Sequence, residues 1–214
     1  MNGRFEGSVF RDFPAVGIMR NMPSQRVAAL AAAALAGGLT TLEVTVNSPD
    51  AMGLISRLRE QFDAQLNVGA GTVCNLADLE RALAAGAEFI VTPIMSPEVI
   101  AACRARAVPI ACGAFTPTEI YRAWELGADW VKIFPADSVG PAYVKALRGP
   151  FPTLPLMPTG GVTLATVGAW RAAGATALGI GSPLFPADLV QRQDWPALTA
   201  HVAAFRAAWL AAAP

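Results

Sequence analysis

The sequence predicts a single (β/α)8 TIM barrel over residues 1–214, and three observations carry that expectation. First, an alanine-rich helical stretch that stops at glycine and runs directly into a short strand occurs four times, as "AGGLTTLEVTV", "AGAEFIVTP", "LGADWVKIFP" and "AGATALGIGS". Second, "FPAVGIMR", "LNVGAGTV", "VPIACGAF" and "LPLMPTGGV" lie between them and read as four more strands, each ending in a polar or glycine-rich turn. Third, the eight strands recur roughly every 20 to 26 residues with helix-period segments between, the pattern of parallel strands joined by helical crossovers. An open doubly wound sheet competes, but such sheets have about five or six strands, whereas eight near-equal units suit closure.

Residues 1–12 are expected to form a short helix or cap before the first strand. The run "AALAAAALAGG", bounded by Arg26 and Gly37, is too short to span a bilayer and reads as a packed helix. The glycines ending the helical stretches mark stops with φ > 0. A long helix, "DWPALTAHVAAFRAAWLAAA", closes the chain, and no Pro/Gly/Ser-rich linker or charge run divides it.

Composition narrows the function. Hydrophobic residues make up 54% and charged residues 15%, with 16 basic against 16 acidic side chains, so no global field draws in nucleic acid or an acidic membrane. A small uncharged or anionic ligand is the natural partner. The three cysteines, Cys74, Cys103 and Cys112, are odd in number and lack metal-ligand spacing, so they read as reduced core thiols of a cytoplasmic protein. His201 is the only histidine, expected on a surface of the last helix, which leaves no material for a histidine triad or a multi-histidine metal site.

Active sites of this fold lie at the C-terminal ends of the strands. Arg20, Glu43, Asn47, Thr72, Thr92, Thr116, Lys132, Thr159 and Ser182 fall there and form the candidate set. Strand parity turns Thr41, Glu43 and Thr45 into the barrel and Leu42 and Val44 toward the helices. In "DWVKIFP" the same rule turns Trp130, Lys132 and Phe134 inward and Val131 and Ile133 outward.

Lys132 has two readings. It is a structural charge paired with an acid, or a nucleophilic amine whose pKa falls because desolvation disfavours the ammonium. The chain holds 14 arginines and 2 lysines. Since arginine cannot form an imine, a lysine kept inside a strand favours chemistry that needs a primary amine. The other lysine, Lys145, reads as part of a solvated helix face. The turns "PTGGV" and "GIGSPLF" after strands seven and eight, with a helix expected from Thr163, suit an anion, and these loops of a barrel frequently hold phosphate. "GAGTV" is no dinucleotide fingerprint, because the third glycine is missing.

In order and spacing, "TLEVTVNSP", "GAGTV", "VTP", "VKIFPA", "PTGGV" and "GIGSPLF" resemble the class I aldolases that cleave 2-keto-3-deoxy-6-phosphogluconate or 2-keto-3-deoxy-6-phosphogalactonate. The resemblance runs from about Pro14 to about Leu210. It implies a (β/α)8 barrel, usually homotrimeric, that releases pyruvate and glyceraldehyde 3-phosphate without metal or organic cofactor. It further implies Lys132 as the Schiff-base lysine and Glu43 as general acid/base. Thr72 and Arg20 would hold the pyruvyl carboxylate, and Gly160, Gly161, Gly181 and Ser182 the phosphate. "MR" after strand one and "NSP", with Asn47, resemble the phosphogalactonate branch, whereas Thr159 resembles the phosphogluconate one. The phosphogalactonate substrate is the expected one, with the other epimer, or both, as alternatives. A phosphate-binding isomerase or epimerase, and a non-catalytic binding protein, stand as more distant readings.

Overall fold

The structure, a computed structural model, describes residues 8–213. Residues 1–7 of the expected cap lie outside the described residues. Eight parallel strands, β1 (Ala15–Met19), β2 (Thr41–Thr45), β3 (Asn67–Gly71), β4 (Ile90–Val91), β5 (Ile110–Ala114), β6 (Trp130–Ile133), β7 (Leu156–Pro158) and β8 (Leu178–Ile180), alternate with helices. The helices are α1 (Ser8–Asp12), α2 (Val27–Ala36), α3 (Ala51–Phe62), α4 (Leu76–Ala84), α5 (Pro97–Ala105), α6 (Pro117–Glu125), α7 (Gly140–Leu147), α8 (Val167–Ala172), α9 (Ala187–Arg192) and α10 (Trp195–Ala211). Consecutive strands pair in parallel from β1 to β7, and β1 also pairs with β8. A bridge between Thr159 and Gly179, with the Thr176 amide donating to the Leu156 carbonyl at 2.9 Å, completes the ring between β7 and β8. This is the expected TIM barrel.

Parity along the strands separates two apolar layers. Leu42, Val44, Val131, Ile133, Leu156 and Leu178 face the helices and are fully or almost fully buried. Burying each such side chain is worth about 1.5–3 kcal/mol, so a one-residue slip of register would be costly throughout the ring. The opposite faces of β1, β4, β5 and β7 point into the barrel, where Val16, Val91, Ala111 and Met157 form a separate cluster with Phe10 and Phe89. Helix α1 thus closes the N-terminal end, with the Phe10 ring set edge-on to Trp130 at 5.8 Å.

The alanine-rich α2 is packed as expected: Val27, Leu30, Ala31, Ala33 and Ala34 are buried, and the helix lies between the barrel and α10. Small side chains permit that approach, since a methyl group on Gly37 would lie 2.7 Å from Val202 Cβ. Four helices stop in one way. Gly38, Gly86, Gly127 and Gly174 take φ between +91° and +100°. The next residue then donates back to the helix, with Leu39 to Ala34, Ala87 to Ala82, Ala128 to Ala123 and Ala175 to Trp170 all at 3.0 Å. This satisfies an orphan carbonyl and turns the chain straight into the strand.

An arginine covers each of these turns: Arg206 lies against Gly38, Arg59 against Gly86, Arg104 against Gly127 and Arg148 against Gly174. Arg148 also donates to the carbonyls of Gly174, at 2.9 Å from Nε, and Leu154, at 2.6 Å. A planar fork of donors suits helix ends rich in carbonyls better than an ammonium does. At Arg148 the use of arginine therefore has a structural cause.

His201 departs from expectation. It is partly buried, its Nε2 lies 2.8 Å from the Pro183 carbonyl, and its ring meets Phe205 edge-on, so it ties α10 to the loop after β8. Cys103 and Cys112 are buried, whereas Cys74 is only partly so. Among the described residues no helix is long and apolar enough to cross a membrane.

The α1 plug is testable. Phe10→Ala is expected to lower stability by about 3 kcal/mol, the usual cost of removing a buried aromatic, as measured by urea unfolding. A change below about 0.5 kcal/mol would show that α1 does not seal the barrel.

Candidate active site

Lys132, on β6, pairs in register with Gly113 on β5 and Met157 on β7, and its side chain is 5% exposed. Glu43, on β2, pairs with Ile18 and Gly69 and is 1% exposed. Both project into the barrel, as parity requires. The carboxylate fits because residue 71 is glycine: a methyl group there would collide with Glu43 Oε1. Burial lowers the pKa of Lys132 below the ordinary lysine value, with Glu43 pulling it back and Arg20 adding to the fall. Burial raises the pKa of Glu43, against the pull of Lys132 and Arg20. Desolvation therefore pushes both groups toward neutrality, although each charge favours the other. An amine so placed can act as a nucleophile and a carboxyl so placed can exchange protons. The Lys132 Nζ also lies 5.1 Å from the centre of the Phe134 ring, which stands at the mouth.

Three loops meet at Arg20. One guanidinium nitrogen donates to Asn47 Oδ1 at 3.1 Å and another to Thr72 Oγ1 at 3.2 Å. Thr72 takes φ +63°, a strained conformation for a β-branched residue. Ser48 fastens the same corner, its Oγ accepting from the Asn21 amide at 2.9 Å and lying 2.7 Å from Thr45 Oγ1. Sequence reasoning missed Ser48. Its signal was the "NSP" turn, where a small hydroxyl before proline can bond to backbone.

Two polar atoms in the interior, Glu43 Oε2 and Thr159 Oγ1, are buried without a protein hydrogen-bond partner. Such atoms are rare because each carries a desolvation cost of about 1–3 kcal/mol, so each of them marks a place where a ligand could supply the partner. Gly179 makes room for the Thr159 hydroxyl, since a methyl group there would collide with it.

Gly160 and Gly161 follow β7 with φ of +101° and +68°, and Gly181 and Ser182 follow β8, beside them through the Thr159–Gly179 bridge. The expected helix dipole is missing from this corner. Helix α8 begins at Val167 rather than Thr163, and the Thr163 amide is already taken by Thr166 Oγ1 at 2.8 Å. The amides of Gly161, Val162 and Ser182 donate to no other protein group among the described residues.

Two candidates drop out. Thr116 caps α6, its hydroxyl accepting from the Glu119 amide while Glu119 reaches back to the Thr116 amide. Thr92 fastens β4 to β5, accepting from the Gly113 amide at 3.0 Å and donating to the Ile94 carbonyl at 2.6 Å. Lys145 lies on an exposed face of α7, as expected.

A family model described as KDPG and KHG aldolase matches residues 7–201. The 2-dehydro-3-deoxy-phosphogluconate aldolase of Treponema pallidum is 37% identical over 172 residues, 80% of this chain and 81% of the relative. The 2-dehydro-3-deoxy-6-phosphogalactonate aldolase of Escherichia coli is 31% identical over 196 residues, 91% of this chain and 96% of the relative. The crystal structure of KDPG aldolase from Legionella pneumophila, with pyruvate captured as a covalent carbinolamine intermediate, superposes with a TM-score of 0.83 at 27% identity, covering 92% of this chain and 96% of that one.

The electrostatics of the pair predict a titration. Modification of Lys132 by an amine-selective acylating reagent, followed by mass spectrometry across pH, is expected to have its midpoint below the ordinary lysine value of 10.5. The midpoint should fall further in Glu43→Gln, which removes the charge that favours the ammonium, and rise in Arg20→Gln, which removes a like charge. An ordinary midpoint would mean that the amine is solvated.

Proposed function

The chain belongs to the KDPG and KHG aldolase family, and from that premise we propose that it is a class I, Schiff-base aldolase cleaving 2-keto-3-deoxy-6-phosphogalactonate to pyruvate and D-glyceraldehyde 3-phosphate. The observation that carries this reading is the buried amine of Lys132 in electrostatic contact with the buried carboxyl of Glu43, each driven toward neutrality by burial. In this reading the Lys132 amine attacks the C2 carbonyl, and Glu43 moves the protons that let the carbinolamine lose water. The protonated imine then takes up the electron pair of the C3–C4 bond as Glu43 removes the C4 hydroxyl proton, which releases the aldehyde and leaves an enamine. Protonation of the pyruvyl carbon and hydrolysis return pyruvate and the free amine. Arg20, held by Asn47 and Thr72, is positioned to take the substrate carboxylate in a charge-assisted pair. The turns bearing Gly160, Gly161, Gly181 and Ser182 would hold the phosphate through backbone amides and a hydroxyl.

The Arg20–Asn47 pair supports the phosphogalactonate epimer, because it joins the two positions that resemble that branch. One observation favours a second reading, action on the phosphogluconate epimer or on both. The Thr159 hydroxyl is buried without a protein partner and could bond a sugar hydroxyl of one configuration. We further propose that the chain works as a single barrel domain in the cytoplasm, a reading supported by three unpaired thiols. Assembly as a homotrimer is supported by the exposed aromatics Tyr121 and Trp124 on α6, where Tyr121 stacks on Phe151 and is tilted against Trp124.

Incubation with pyruvate and borohydride is expected to leave a reduced pyruvyl adduct on Lys132, and Lys132→Ala to abolish both adduct and cleavage. Glu43→Gln should lower kcat by about 10²–10⁴-fold. Cleavage retained in both variants would overturn the chemistry. Pyruvate release measured with both phosphorylated epimers, in the wild type and in Thr159→Val, decides between the substrate readings. The valine variant should lose activity selectively on the epimer whose hydroxyl Thr159 contacts.

A further inference from the structure

Beside the two-glycine turn stands a carboxylate that the reaction does not use. Asp137 lies in a short 3-10 turn (Ala136–Ser138) just after β6. A methyl group on Gly160 would come within 3.0 Å of Asp137 Oδ1, and one on Gly161 within 3.0 Å of Asp137 Cα and Cβ. The acid is therefore laid flat against the turn. It is held there by the backbone, because the Ala136 amide donates to the Thr159 carbonyl at 2.9 Å and the Val139 amide to the Ala136 carbonyl at 3.2 Å. Asp137 is exposed, and it forms no ion pair or side-chain hydrogen bond among the described residues. An uncompensated negative charge thus borders the turn whose free amides suit an anion.

We infer that Asp137 is a specificity-determining residue that opposes negative charge at the distal end of the substrate, holding the preference for a phosphorylated keto acid below what the turn amides alone would give. The inference rests on the phosphate reading of the glycine turns. Its physical basis is Coulombic. A dianionic phosphate a few ångströms from a carboxylate feels a repulsion that water reduces and salt screens, yet does not abolish at the rim of a pocket. The same repulsion favours departure of the phosphorylated aldehyde after the carbon–carbon bond has broken.

The test compares the wild type with Asp137→Asn and Asp137→Ser on the phosphorylated keto acid and its unphosphorylated counterpart. The readout is the ratio of the two kcat/KM values at about 20 mM and about 500 mM NaCl. Removing the charge is expected to raise that ratio about three- to tenfold at low salt, mainly through KM for the phosphorylated substrate, and the gain should shrink at high salt. Both neutral variants should agree, which separates loss of charge from loss of shape. A wild type that prefers the phosphorylated substrate, with variants of unchanged or lower ratio, overturns this inference alone. So does a gain that is indifferent to salt. A wild type that turns over both substrates equally overturns the phosphate reading and this inference with it.

Discussion

The organisation of the site depends on withholding water from one amine. Lys132 is 5% exposed and sits among strands whose outer faces are sealed by helices. Its ammonium is disfavoured there, and the carboxyl of Glu43 is disfavoured as an anion for the same reason. The two effects pull in one direction while mutual attraction pulls in the other, so small changes in their surroundings move protons between them. Much of the interior is arranged to keep that balance. Glycine at 71 admits the carboxyl, Arg20 tilts both titrations, and the Phe134 ring lies 5.1 Å from the amine.

Much of this was legible in the amino-acid order because alternation is a local property. Parity alone separates Lys132 from Val131 and Glu43 from Val44, and the four glycine stops can be read from "AGG", "AGA", "LGA" and "AGA". The fastening of the loops was less accessible. Thr92 and Thr116 occupy strand ends just as Thr159 does, yet backbone amides claim the first two and leave the third without a partner. For Thr92 the distinction depends on Gly113, 21 residues along the chain, which strand position does not reveal, whereas the Thr116 cap is local and follows from Glu119 three residues on. The helix after β7 fails for a nearer reason: a threonine three residues on, Thr166, captures the Thr163 amide and delays the first regular turn to Val167.

The scarcity of lysine gains a cause from the opposite rim. Arginines lie against all four glycine stops, and the planar donors of one of them, Arg148, reach several carbonyls at once. Arg148 thus serves architecture, whereas in the proposed reaction Lys132 serves chemistry.

The Phe10 ring against Trp130 gives the barrel one door. In the proposed reaction, with the amine buried and the glycine turns nearer the surface, a substrate bound across both would enter with its keto acid end first. Its two fragments would then form a queue: the aldehyde would stand nearer the exit and leave while the three-carbon remainder was still tethered to the protein. Plugging the floor would therefore impose a sequence in time on the proposed reaction.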